Sequence, residues 1–248
     1  MAENSLEAHL YECLKKGNTK KALYILKLLG DNVNKIYKGK SPLLWAEKFE
    51  NDEIVKALKE KGAKKVVSEE YEEKLKIELL NAVERNDLDN VIELINNGAN
   101  IDVKTKDNET PLIRAAYKGY IKIAKELIKA GAKFDESDNE GNTALIYASD
   151  RGYIEIVKEL IKSGANLDLQ SKRIENTALM RAIYRGHIEI IKELVKAGAN
   201  VELCDKKGWK TINMAGSYEV KKAIRNALMV RKSKQVFSDV KGIFSRDK

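Results

Sequence analysis

A glycine that follows an apolar helical stretch recurs along this chain at Gly30, Gly62, Gly98, Gly131, Gly164 and Gly198, at intervals of 32, 36, 33, 33 and 34 residues. This period constrains the fold more than any other feature, because one such unit is too small to bury its own apolar face and must stack on neighbours. Aligned on the glycines, three consecutive units read NETPLIRAAYKGYIKIAKELIKAGAK, GNTALIYASDRGYIEIVKELIKSGAN and ENTALMRAIYRGHIEIIKELVKAGAN. Each holds two helical stretches. In one second stretch Ile154, Ile156, Val157, Leu160 and Ile161 share a face, while Lys158, Glu159 and Lys162 face water.

The helix starts are equally regular. Thr110-Pro111-Leu112 and Ser41-Pro42-Leu43 open first helices, with Thr143-Ala144-Leu145 and Thr177-Ala178-Leu179 as variants. Proline at the first helical position has its φ preset and loses no needed N–H, and the Thr or Ser before it is expected to cap the orphan amides. Gly119, Gly152 and Gly186 are expected to end the first helices in the left-handed conformation, with Asn86 at the corresponding turn of another unit.

This pattern resembles the ankyrin repeat, which has a turn, a Thr-Pro-Leu-His-like helix start, a short Gly turn, a second helix and a terminal Gly-Ala. The resemblance covers most of the chain and implies an all-α solenoid of helix-turn-helix units with hairpin tips. Seven repeats follow, at residues 5–34, 36–66, 69–103, 105–136, 138–170, 172–203 and 205–230, the first and last degenerate and the last expected to cap the core. Leu44, Ile113, Ile146 and Met180 stand where the family has His, so the hydrogen bonds of that His must be absent or made differently. Between the second and third repeats the turn motif gives way to KKVVSEEYEEKLKIELL, an early helix start capped by Ser68 with Glu69 and Glu70 in its first turn, and a seam is expected near residues 66–72.

The resemblance also implies a partner-binding groove formed by the turn tips and the exposed face of the first helices. Its candidate residues are Trp45, Lys48 and Phe49, then Arg114, Tyr117 and Lys118, then Tyr147, Asp150 and Arg151, then Arg181, Tyr184 and Arg185. The tips add Tyr37, Lys38, Lys106, Asp107, Asn139, Glu140, Arg173, Lys206, Lys207 and Trp209. Trp, Tyr and Arg dominate binding hot spots because they join large apolar area to directional polar groups. Trp45 and Tyr147 are equally suited to packing between first helices. Arg114 and Arg181, partly inward, must either pair with an acid such as Asp150 or stay available to a ligand, since an unpaired buried charge is costly.

Charge narrows the partners. The chain carries a formal +8, yet nine Lys or Arg against three acids fall between Glu219 and Lys248, so the basicity belongs to the C-terminal stretch. There, within a tail at 231–248, Val236, Phe237, Val240, Ile243 and Phe244 recur at helical spacing beside Lys232, Lys234, Lys241 and Arg246. This tail either covers the exposed end of the array or meets an anionic membrane, nucleic acid or acidic protein. The acidic N-terminal stretch lacks a secretory pattern, and Cys13 and Cys204 are far apart, so a cytoplasmic, monomeric protein with free thiols is expected. The two Cys and two His, at His9, Cys13, His187 and Cys204, lie outside any zinc-ligand spacing, His187 reads as structural, and no nucleophile–base or phosphate-cradling motif occurs. No catalytic, metal or cofactor site is expected. The function this leaves is a protein-binding scaffold, with an anion binder or a translocated effector acting on a foreign target as alternatives.

Overall fold

A computed structural model describes residues 5–229, apart from 31, 67 and 227. The tail with Lys232, Lys234, Phe237 and Phe244 lies outside the described residues. Helices alternate with short turns, and the chain divides after Ile101 into two compact units.

The N-terminal unit holds α1 (Leu6–Lys15), α2 (Thr19–Leu29), α3 (Pro42–Lys48), α4 (Asp52–Glu60), α5 (Glu69–Glu84) and α6 (Leu88–Asn96). Consecutive helices pair within a repeat, and α1 packs on α3 and α2 on α4 between repeats. The core they enclose includes Leu10, Leu14, Ile25, Leu26, Ile54 and Leu58. Each such fully buried aliphatic side chain contributes about 1.5–3 kcal/mol. Asn18, Asn51 and Asp87 cap the second helices through their side chains, and α5 starts at Ser68, whose Oγ accepts the Tyr71 N–H.

One local expectation needs correction here. Ser41 does not cap α3; its Oγ instead donates to the Lys64 carbonyl at 2.9 Å and accepts the Val66 N–H at 3.1 Å, tying the start of α3 to the chain that leaves α4 in the same repeat. The stretch expected to form a seam is crossed by two backbone bonds, Ser41 N–H to Val66 C=O and Ser68 N–H to Gly39 C=O. The division into units comes later, after Ile101.

The C-terminal unit holds α7 (Pro111–Lys118), α8 (Ile121–Lys129), α9 (Ala144–Arg151), α10 (Ile154–Lys162), α11 (Ala178–Arg185) and α12 (Ile188–Ala197), then a 3₁₀ turn over Thr211–Met214 and helical residues 218–226. First helices stack on first helices (α7, α9, α11 and the 3₁₀ turn) and second helices on second helices (α8, α10, α12). Ala115, Ala148 and Ala182 are fully buried on the first helices, and their small side chains let neighbouring helices approach closely. Ile156, Val157 and Leu160 are fully buried as the periodicity predicts. Thr110, Thr143 and Thr177 accept the N–H three residues on, as expected of N-caps.

Gly119 and Gly152 meet two demands at once. Both end first helices at positive φ, +76° and +83°. A side chain on Gly119 would also collide with the Tyr153 ring, and one on Gly152 with His187. Tyr120, Tyr153 and His187 start the second helices without a side-chain cap. Tyr153 and His187 trade a cap worth about 1 kcal/mol for ring packing on the preceding repeat. His187 also contacts the Asp150 carbonyl through Nε2 at 3.1 Å, which accounts for it structurally.

Where the family has His, Ile113, Ile146 and Met180 are buried apolar side chains. The Met180 thioether restores part of the lost bonding by accepting the Thr177 N–H at 3.5 Å.

Candidate partner-binding groove

The tips of the C-terminal unit are locked to one another before any partner arrives. Asn139 N–H donates to the Asp107 carbonyl, Lys172 N–H to Glu140 and Lys206 N–H to Ile174, at 3.0, 2.8 and 3.2 Å. Behind them Asp102, Asp135 and Asp168 accept the N–H of Lys133, Asn166 and Asn200 at 2.8–2.9 Å, one repeat further on. The backbone that carries the tip side chains is therefore tied to its neighbours on both sides. The first-helix residues beside them form two clefts.

The first cleft is lined by Asp107, Glu109, Arg114, Tyr117, Lys118, Asp138, Asn139, Glu140 and Tyr147. Its charges are largely spoken for. Arg114 pairs with Glu109 through its guanidinium. Tyr147 donates its hydroxyl to Asp138 Oδ2 at 2.6 Å, and the other oxygen of Asp138, a carboxylate only 5% exposed, accepts the Asn142 N–H at 2.8 Å. Burial and then this bond to Asp138 push the Tyr147 hydroxyl far above its ordinary pKa. Tyr147 also forms a T-shaped pair with Tyr117, and the Arg151 guanidinium lies over the Tyr117 ring at 3.8 Å from its centroid. Asp107 and Glu140 remain exposed at the rim.

The second cleft, about 610 Å³, is lined by Ile174, Asn176, Met180, Arg181, Tyr184, Arg185, Asp205, Lys206, Lys207, Trp209 and Met214. Tyr184 and Trp209 stand 78% and 59% exposed, which is unusual for rings of this size. Asp150 holds two arginines of α11: Arg185 through Nε at 3.0 Å and Nη2 at 3.2 Å, and Arg181 through Nη1 at 3.6 Å. Arg181 Nε and Asn176 Oδ1, both shielded from solvent, hydrogen-bond to no other group among the described residues.

In the N-terminal unit the corresponding residues turn inward. Trp45 stacks on Phe49 and meets Tyr11 edge-on, while its indole N–H donates to the Tyr37 carbonyl at 2.8 Å. Beside it lies Lys40, only 1% exposed, with Nζ donating to Asn97 Oδ1 at 2.7 Å and lying 4.8 Å from the Trp45 ring centroid. Burial first, and the Lys48 charge second, lower its pKa to about 8, with Glu93 opposing. The cleft nearby, lined by Glu47, Lys48, Glu50, Lys65, Glu93, Asn96 and Asn97, has no apolar anchor. Of these three clefts, the two of the C-terminal unit carry large rings and this one does not.

Of the predicted groove residues, Tyr117, Tyr184 and Trp209 stand exposed with Lys118, Arg151 and Arg185; Asp150 pairs with both Arg181 and Arg185, and Arg114 pairs with Glu109. Trp45, Phe49 and Tyr147 take the packing course. Sequence reasoning missed Ile174, Asn176 and Met214 on the second cleft, and Glu109 and Asp138 on the first. Ile174 alone left a trace, as an apolar residue in an otherwise polar loop.

A family model for ankyrin repeats in three copies matches residues 79–171, and a single-repeat model matches residues 175–206, together about half of the chain. The chain belongs to the ankyrin-repeat family. Its fold is the all-α ankyrin solenoid, and ankyrin repeats are generally protein–protein interaction modules. A search of curated proteins finds no match. Among the described residues of this ankyrin protein, no group of three or more His, Cys, Asp or Glu could hold a metal ion, and no helix is long and apolar enough to cross a membrane.

Proposed function

We propose that this ankyrin protein is a non-enzymatic scaffold that holds a protein or peptide partner in the groove of its C-terminal unit. The observation that carries the reading is the exposure of Tyr184 and Trp209 over the apolar floor of Ile174, Met180 and Met214. Rings of this kind lose little conformational entropy on binding, and the locked tips remove the cost of ordering loops, so burial on a partner converts efficiently into affinity.

The test is capture by the immobilised full chain beside a Tyr184→Ala, Trp209→Ala variant. Both side chains are exposed, so the variant should keep the parent's unfolding midpoint. A protein retained by the parent and lost by the variant supports the groove; retention by both, or recovery of nucleic acid or lipid instead, refutes it.

A further inference from the structure

The two clefts of the C-terminal unit carry opposite charge. Four acids (Asp107, Glu109, Asp138 and Glu140) against two bases line the first, and four bases (Arg181, Arg185, Lys206 and Lys207) against one acid line the second. Internal pairs reduce both sets without changing either sign. Arg114 neutralises Glu109, which leaves the exposed Asp107 and Glu140, backed by the buried Asp138 carboxylate, against Lys118. Asp150 offsets one of the charges of Arg181 and Arg185, which leaves a cationic surplus with Lys206 and Lys207 exposed.

The clefts lie two repeats apart. First helices packed at about 8–10 Å per step separate them by about 20 Å. This exceeds twice the Debye length of about 8 Å at physiological salt, so each cleft is sensed locally. An extended chain covers the distance in about six residues at 3.3–3.6 Å each.

We propose that the groove selects an extended peptide segment with a basic side chain at the first cleft and, about six residues away, an acidic side chain flanked by an apolar one at the second. The proposal rests on the groove reading above and adds the chemistry of its ligand. The acid meets Lys206 and Lys207, and its apolar neighbour lies between Tyr184 and Trp209. A phosphate backbone offers only acceptors and has to pass the carboxylates of the first cleft. Opposite charges at the two ends fix which way the peptide lies, the specificity role for which charge complementarity is best suited.

A phage-displayed library of random 12-residue peptides, panned on the immobilised full chain, tests this. Binders are counted only if the Tyr184→Ala, Trp209→Ala variant loses them. The expected result is enrichment of an acid and a base about six residues apart. The charge-reversed Lys206→Glu, Lys207→Glu chain should bind those peptides about tenfold or more weakly and, panned afresh, should lose the acidic preference. Groove-dependent binders without that spacing, or with affinity indifferent to the reversal, overturn the proposal and leave the groove reading intact. If no binder depends on Tyr184 and Trp209, both fall.

Discussion

Burying a lysine makes the stability of the N-terminal unit rise with pH, as a paired carboxylate does but in an alkaline window, and opposite to a lysine held in an ion pair. Lys40 titrates near 8 in the folded protein against an ordinary 10.5. The unfolded chain therefore holds a proton that the folded chain has released between these values, and stability rises with pH across that window. Integrated from pH 7 to pH 10, this gain is roughly 2.5 kcal/mol. Above pH 10 the burial-raised pKa of Tyr71, whose ring lies 5.4 Å from Lys40 Nζ, acts the other way, because the unfolded tyrosine then ionises first.

The assay is urea unfolding at pH 7, 8, 9 and 10, followed by fluorescence in a Trp209→Phe background, where Trp45 is the one remaining tryptophan of the two in the chain. Trp45 touches the Lys40 environment directly, so it reports the correct unit. Lys40→Met keeps the aliphatic stem and removes the charge, and it should flatten the rise. At pH 7 its net effect should be small. Relief of the charge-burial penalty is opposed by about 1–3 kcal/mol for leaving Asn97 Oδ1 without its donor. An equal rise in parent and Lys40→Met, or a fall in the parent from pH 7 to pH 10, refutes the reasoning.

Three substitutions probe the C-terminal unit by urea unfolding. Gly119→Ala should cost more than about 2 kcal/mol, since strain at positive φ adds to a collision with the Tyr153 ring. Gly131→Ala, also at positive φ but facing open space, should cost only about 1 kcal/mol, and equal losses would show that ring packing on Gly119 is immaterial. Tyr147→Phe removes the donor to a buried carboxylate and should cost about 1–3 kcal/mol; a neutral result would mean that Asp138 is held by the Asn142 N–H alone.

The repeat, its helix pairs and their core faces were legible because they follow from local spacing. Glycine and asparagine at helix ends, threonine caps and the 3.6-residue apolar stripe each announce themselves within a few residues. What stayed hidden depends on partners a whole repeat away. Asp150 collects Arg181 and Arg185 from the next first helix, and only the stack decides that both aim at one carboxylate. Nothing in KGKSPLLW distinguishes Lys40, which is buried, from exposed Lys38; the third repeat supplies Asn97 and Tyr71, which enclose it. The sequence around Ser41 favours a cap, but its hydroxyl bonds to the backbone at 64–66 instead. Residue type leaves the exposure of Tyr184 and Trp209 against the half-buried packing of Trp45 and Tyr147 equally undecided, since all four are rings in similar repeats.

The groove claim meets its most direct test in the dissociation constant of a protein captured by the full chain, measured by calorimetry for the parent and for the Tyr184→Ala, Trp209→Ala variant. Two hot-spot rings at about 2 kcal/mol each predict a loss on the order of a hundredfold or more. An affinity within about threefold of the parent, in a variant with an unchanged unfolding midpoint, contradicts the assignment of the binding site to this groove.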